Sequence, residues 1–226
     1  MSRLPSMSLI EAIENRRSVR GYKSDPVPQH IIDEILSLAQ KSPSNCNVQP
    51  WQVLLASGDS CDELRNRLSS AFLAGKPMKP DFPSDLKFQG IMRQRQVECA
   101  QALYGAMGIE RSDKIGRAKA TARNYRFFDA PHVLFITMKK EFNQAIAVDI
   151  GIYAQTLMLL MTAFGIGSCA QASIAYYPNI IREYFSLDES EGILFGISFG
   201  YEDSQIDANN ARTNRADLEE VVIQKT

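Results

Sequence analysis

The chain has 226 residues, 45% of them hydrophobic and 23% charged, with a net charge of −1 and a pI near 6.2. That length can bury a substantial core, and the near-neutral balance excludes the broad basic surface of a nucleic-acid binder. The four cysteines, Cys46, Cys61, Cys99 and Cys169, lie far apart with no CxxC pair, which argues against a zinc site, a redox dithiol or a disulfide scaffold.

In chain order, the first residues show no apolar run followed by a small-residue cleavage site, so a cytoplasmic, reducing compartment is expected. Ser8 and Glu11 have capping-box spacing and predict a helix to about Arg16. Three arginines then fall within five residues, Arg16, Arg17 and Arg20, around Ser18. Pro26 and Pro28 break the chain, and Ile31, Ile32, Ile35, Leu36 and Ala39 recur at helical spacing until Ser42-Pro43. The loop SPSNCNVQPW feeds a short strand, WQVLLA, and Asp59 or Ser60 begins the next helix, with Ser60 and Glu63 in capping-box spacing. Residues 71–85 are rich in Pro, Lys and Phe and read as irregular. Helical sequence is expected from about Leu86 to Ile109 and again to Tyr125. The strand HVLFITM, a long apolar helix over Ala145–Ile166, the segment GSCAQASI, a helix over Pro178–Phe185 and the strand ILFGISFGY follow. The final twenty residues are polar and read as extended. With no repeat, low-complexity tract or linker, a single α+β domain over 1–226 is the economical expectation.

Several features carry a choice between chemistry and packing. Ala145–Ile166 is long enough to span a bilayer but contains Asp149, Gln155, Thr156 and Thr162, and reads instead as a helix of a core or subunit interface. Gly165, Gly167 and Ala170 spell the dinucleotide pattern GxGxxA, yet a helix precedes them and a strand follows, the reverse of what that pattern needs. Gly165 reads as the left-handed cap of the helix. Cys46 and Cys169 have no histidine nearby and read as small apolar residues; His30 and His132 read as structural. The loop after the second helix gathers Ser44, Asn45, Asn47 and Gln49, more hydrogen-bonding groups than turn and cap require, and so suits a polar planar ligand. Arg212 and Arg215 stand on a tail too polar to fold for its own sake. Each arginine run alone is a solvated face or an anion site. If the tail returns to the first helix, the two runs together can clamp a phosphate.

Taken in order, RRSVR, SPSNCNVQPW and the arginine-bearing tail with its DLEEV run resemble the FMN-dependent nitroreductase family. LYGAMGIERSD, NYRFFDAPHVLFIT and GIGSCAQASIAYYP resemble its nitrobenzoate-reductase-like branch. The resemblance covers nearly the whole chain. It implies a mostly antiparallel sheet flanked by helices in an intertwined homodimer, with FMN at the interface. It implies a helical excursion over about 72–125 covering the active site, and a tail over about 203–226 reaching the partner subunit. By resemblance, Arg16, Ser18, Arg212 and Arg215 hold the FMN phosphate, and Arg17 presents mainly its backbone. Arg20 and Arg126 approach the pyrimidine edge, Ser44, Asn45, Asn47 and Gln49 contact the cofactor, and Ala170, Gln171, Ala172 and Ser173 pass beside the flavin ring. Some relatives carry an acidic residue in that last segment; this chain does not.

The function so implied is reduction of nitroaromatic compounds to nitroso and hydroxylamine products by NADH or NADPH, in a ping-pong cycle through FMN, with no metal and no side chain as catalyst. Phe82, Phe88 and Tyr104 are either cover for the acceptor or core. Flavin, quinone or enone reduction or dehalogenation fits the same fold. A non-catalytic nucleotide-binding protein is the alternative from another class.

Overall fold

A computed structural model describes residues 7–83 and 87–225. Four antiparallel strands form the central sheet: β1 (Gln52–Ser57), β2 (His132–Lys139), β3 (Gly167–Gln171) and β4 (Glu191–Gly200), in spatial order β1-β2-β4-β3. Around it stand α1 (Leu9–Asn15), α2 (Gln29–Ala39), α3 (Asp59–Leu73), α4 (Gly90–Ala106), α5 (Lys114–Tyr125), α6 (Gln144–Ala163), α7 (Pro178–Tyr184) and the single turn α8 (Leu218–Val221). The α+β class and the antiparallel sheet match expectation.

Strand β2 is covered on both faces, which is why it reads as a continuous apolar run rather than an alternation. Phe135 joins Leu64, Leu68, Tyr125, Phe127 and Ile181 on the face carrying α3, α5 and α7. Its neighbours Leu134 and Ile136 point the other way, into Ile35, Ile150, Tyr153, Leu157 and Met161 from α2 and α6. One strand thus nails together two half-cores.

Most local signals act as read. In α1 both capping-box bonds form, Ser8 N–H to Glu11 at 2.7 Å and Glu11 N–H to Ser8 Oγ at 3.3 Å. Helix α6 ends in a Schellman motif: the Ile166 and Gly165 amides bond the carbonyls of Met161 and Thr162, with Gly165 at φ 74°. The capping box expected at Ser60 does not form. Strand β1 runs on to Ser57, Gly58 makes the turn at φ 54°, and Ser60 is already inside α3. The helix expected from Leu86 begins at Gly90, Leu86 itself lying outside the described residues. The tail is less extended than expected, because a 3-10 turn at Asp207–Asn210 and α8 interrupt it.

Helix α6 is the one described helix long and apolar enough to cross a membrane, and a third of its apolar window is buried. Its inner face packs on the sheet through Ile150, Tyr153, Leu157 and Met161. Its outer face leaves Val148 and Ile152 in solvent, and α1, which packs against it, exposes Leu9, Ile10 and Ile13.

The foot of the segment between α3 and α4 is held by a buried charge pair. Arg182, on α7, donates to both carboxylate oxygens of Asp81 at 2.9 and 3.0 Å, and the Ile193 amide and Lys140 add to the same carboxylate. Burial alone would raise the Asp81 pKa. Arg182, the Ile193 amide and Lys140 outweigh that and hold it below the usual carboxylate range.

Candidate functional site

The arginine stretch leaves α1 and runs along the free edge of β3. Ser18 bridges Ser168 in parallel, the Val19 amide donating to the Ser168 carbonyl at 2.9 Å, and Tyr22 then bridges Glu202 in antiparallel. Close approach is possible because Gly167 has no side chain; a Cβ there would sit 2.7 Å from the Val19 side chain. RRSVR and GSCAQAS, 150 residues apart in sequence, are therefore neighbours.

The other chain end arrives at the same place. Asn209, 2% exposed, sits in the 3-10 turn after β4. Its Oδ1 accepts the Arg20 amide at 2.6 Å, and its Nδ2 donates to the Gly21 and Asp203 carbonyls at 2.8 and 2.9 Å. Its own carbonyl accepts guanidinium bonds from Arg17 at 3.1 Å and Arg212 at 2.7 Å. Arg17 also pairs with Glu202, so its side chain is committed within the fold. From the opposite side the Arg123 guanidinium donates to the Arg20 carbonyl at 2.9 Å. The Arg20 backbone is clamped at both its N–H and its C=O. The residue lines a cavity of about 190 Å³ shared with Tyr104, Met107, Arg123, Asn124 and Phe128.

Arg16, Arg20, Arg212 and Arg215 form no ion pair with a carboxylate among the described residues. Arg215 bonds only the Thr213 and Asn214 groups next to it, and lies with Arg212 in a groove against α4, where Arg95 pairs with Glu220. On β3, Ala170 is exposed, whereas the Ser168 hydroxyl and the Gln171 side-chain Oε1 are buried with no partner among the described residues. The Gln171 amide donates to the Asn124 carbonyl at 3.0 Å, tying β3 to the end of α5. Ala172 and Ser173 lead into the 3-10 turn that follows.

The structure does not bring every candidate to this edge. Arg126 turns to Asp129, donating from Nε at 3.0 Å and Nη2 at 2.8 Å, and it is Arg123 that reaches Arg20. Phe127, Phe128 and Asp129, all at positive φ, swing the chain from α5 into β2 there. Ser44, Asn45, Asn47 and Gln49 form a second group. The Asn45 amide donates to the buried Asp149 carboxylate of α6 at 3.0 Å, and Ser44 Oγ accepts the Gln49 amide at 2.9 Å. Cys46, Asn47 and Gln49 all adopt positive φ, a strain of about 1 kcal/mol or more per residue of the kind that collects at binding loops. Among the described residues no hydrogen bond joins this loop to the arginine edge. Of the aromatic candidates, Tyr104 faces the Arg20 cavity. Phe82 packs over Gly192 at the far end of β4, and Phe88 is exposed.

Sequence reasoning missed Asn209, Arg123 and Asp149. Nothing distinguishes Asn209 from Asn210 beside it, or Arg123 from Arg126, until the tail and α5 are seen to meet Arg20. Asp149 had a readable signal, a lone carboxylate in an apolar helix, which needs a partner when buried.

An antiparallel sheet with a cation-rich edge built from both chain ends is an arrangement that suits an anionic, hydrogen-bonding ligand. Residues 13–201 match the Nitroreductase family. The chain is 38% identical over 221 residues to nitroreductase NfnB of Mycolicibacterium smegmatis, covering 96% of this chain and 94% of that protein. It is 32% identical over 205 residues to a 4-nitrobenzoate reductase of Pseudomonas putida, covering 90% and 89%. Its fold superimposes with TM-score 0.91 at 37% identity on the FMN-dependent nitroreductase NfnB from Mycobacterium smegmatis solved in complex with NADPH, covering 97% of this chain and all of that one. This chain belongs to the nitroreductase family. FMN fits the residues present: guanidinium groups without carboxylate partners suit its phosphate, and Ala170, the exposed residue of β3, offers a surface for a planar ring.

Proposed function

We propose that this chain is an FMN-dependent oxidoreductase that takes hydride from NADH or NADPH and reduces nitroaromatic compounds. The guanidinium groups left without carboxylates at the β3 edge carry the reading, together with full-length relatives named for FMN, NADPH and nitroarene reduction. When bound, the flavin supplies the hydride chemistry in both half-reactions, the nicotinamide leaving before the acceptor enters. The chain's own residues bind and orient it. Arg16, Ser18, Arg212 and Arg215 hold the phosphate, with the Arg17 backbone alongside. Arg20, its backbone fixed by Asn209 and Arg123, keeps a positive charge at the pyrimidine edge, where it favours the more negative reduced state. Ala170 to Ser173 line the ring, and positioning of the reactants over it is the main catalytic contribution.

The working unit in this reading is a homodimer of single-domain subunits. The apolar outer faces of α1 and α6 give a second copy a surface to cover. The loop carrying Ser44, Asn45, Asn47 and Gln49, anchored on α6 by Asp149, then completes the partner's site. The excursion over about 72–125, of which residues 84–86 lie outside the described residues, covers the acceptor side, Tyr104 being its member next to Arg20.

The test is direct. The purified protein carries flavin absorbance, NADH or NADPH bleaches it without oxygen, and a nitroarene restores it. Arg16→Ala and Arg215→Ala each weaken FMN retention about tenfold or more on dilution while the fold persists, since each removes a charge-assisted contact. A colourless protein that takes up no added FMN ends the reading.

A further inference from the structure

Asn209 has no assigned role, yet its buried side chain makes three hydrogen bonds. All three of its side-chain bonds go to backbone on two separate segments: the Arg20 amide and Gly21 carbonyl before the sheet, and the Asp203 carbonyl after β4. Its carbonyl is in turn the shared acceptor of Arg17 and Arg212. An asparagine suits this place because one amide offers an acceptor and two donors in a plane. A carboxylate could not donate to Gly21 or Asp203, and an aliphatic residue would leave the Arg20 N–H without its acceptor and take from the Gly21 and Asp203 carbonyls one of their two donors. Downstream of Asn209, the tail to Arg215 is exposed apart from half-buried Ala211, and its hydrogen bonds from Arg212 and Arg215 reach no further back than Asn209.

We infer that Asn209 is a positioning residue that locks the C-terminal tail to the arginine edge, setting Arg212 and Arg215 opposite Arg16 so that one phosphate meets cations from both chain ends. This rests on the phosphate-clamp reading above. Asn209 touches no ligand itself and acts through the arginines.

The holoprotein tests it in two ways. Trypsin cuts after arginine, so release of the tail in Asn209→Ala accelerates cleavage at Arg212 and Arg215 severalfold, while cleavage within α3, at Arg65 and Arg67, keeps its wild-type rate. FMN dissociation, followed by flavin fluorescence, is then measured for wild type, Asn209→Ala, Arg212→Ala and the double variant. Asn209→Ala weakens FMN about tenfold. Because the tail cation is already misplaced, adding Arg212→Ala costs less than about threefold more, far from the product of the two single effects. If Asn209→Ala does not fold, Asn209→Asp replaces it: it keeps the Arg20 acceptor, loses both donors, and is expected to show the same faster cleavage and weaker FMN. Unchanged tail cleavage, or single effects that simply multiply, overturns the positioning role. If Arg16→Ala, Arg212→Ala and Arg215→Ala all retain FMN as tightly as wild type, the clamp itself falls and the role of Asn209 falls with it. Weakening by those three but not by Asn209→Ala sinks the positioning role alone.

Discussion

His132 gives the most quantitative handle on the fold. It opens β2 at 3% exposure, its ring stacked on Phe199 with centroids 5.0 Å apart. The Val27 amide donates to Nε2 at 2.8 Å, and Nδ1 shares a 2.7 Å bond with Ser57 Oγ. A ring nitrogen that accepts cannot also carry a proton, so the folded protein needs neutral imidazole, with Nδ1–H donating to Ser57. Burial pushes its pKa from 6.5 down to about 4. Between those values the unfolded chain holds a proton that the folded chain refuses, so stability rises with pH across the window. The contribution is complete above 6.5 and is lost as pH falls toward 4. The whole shift corresponds to about 3 kcal/mol, of which about 2 kcal/mol is gone by about pH 5. Urea unfolding followed by circular dichroism, at about pH 7 and about pH 5 with protein and FMN concentrations fixed, measures this. His132→Gln is the control: its amide oxygen can accept from Val27 and does not titrate. Wild type is expected to lose about 2 kcal/mol and the variant less than about 0.5 kcal/mol over the same step. A flat wild-type profile, or an equal slope in the variant, refutes the reasoning.

Other perturbations follow from the same contacts. Arg182→Met leaves the buried Asp81 carboxylate without its bidentate partner and is expected to cost about 3–5 kcal/mol, whereas Arg182→Met combined with Asp81→Leu recovers most of it, both read by urea unfolding. Gly165→Ala forces a Cβ onto the left-handed cap of α6 and should lower stability by about 1 kcal/mol; an unchanged thermal midpoint would contradict the Schellman assignment.

Elements whose causes are local were legible in the residues alone. Ser8 with Glu11 placed the start of α1, Gly165 ended α6, and the apolar stretch within HVLFITM marked a strand. The same local logic exposed GxGxxA as a helix cap followed by a strand. It also supplied the arginines of both chain ends and the polar loop as ligand-binding material. Which of these meet is settled by three-dimensional packing. Asn209 looks like Asn210, and Arg123 like Arg126, because a side chain's role as a tether depends on backbone groups 103 to 189 positions away. Those groups become neighbours only when β3 and β4 pair and the tail folds back. Hydrogen-bond partners are a property of three-dimensional proximity, and no spacing along a chain encodes them when the two segments come from opposite ends.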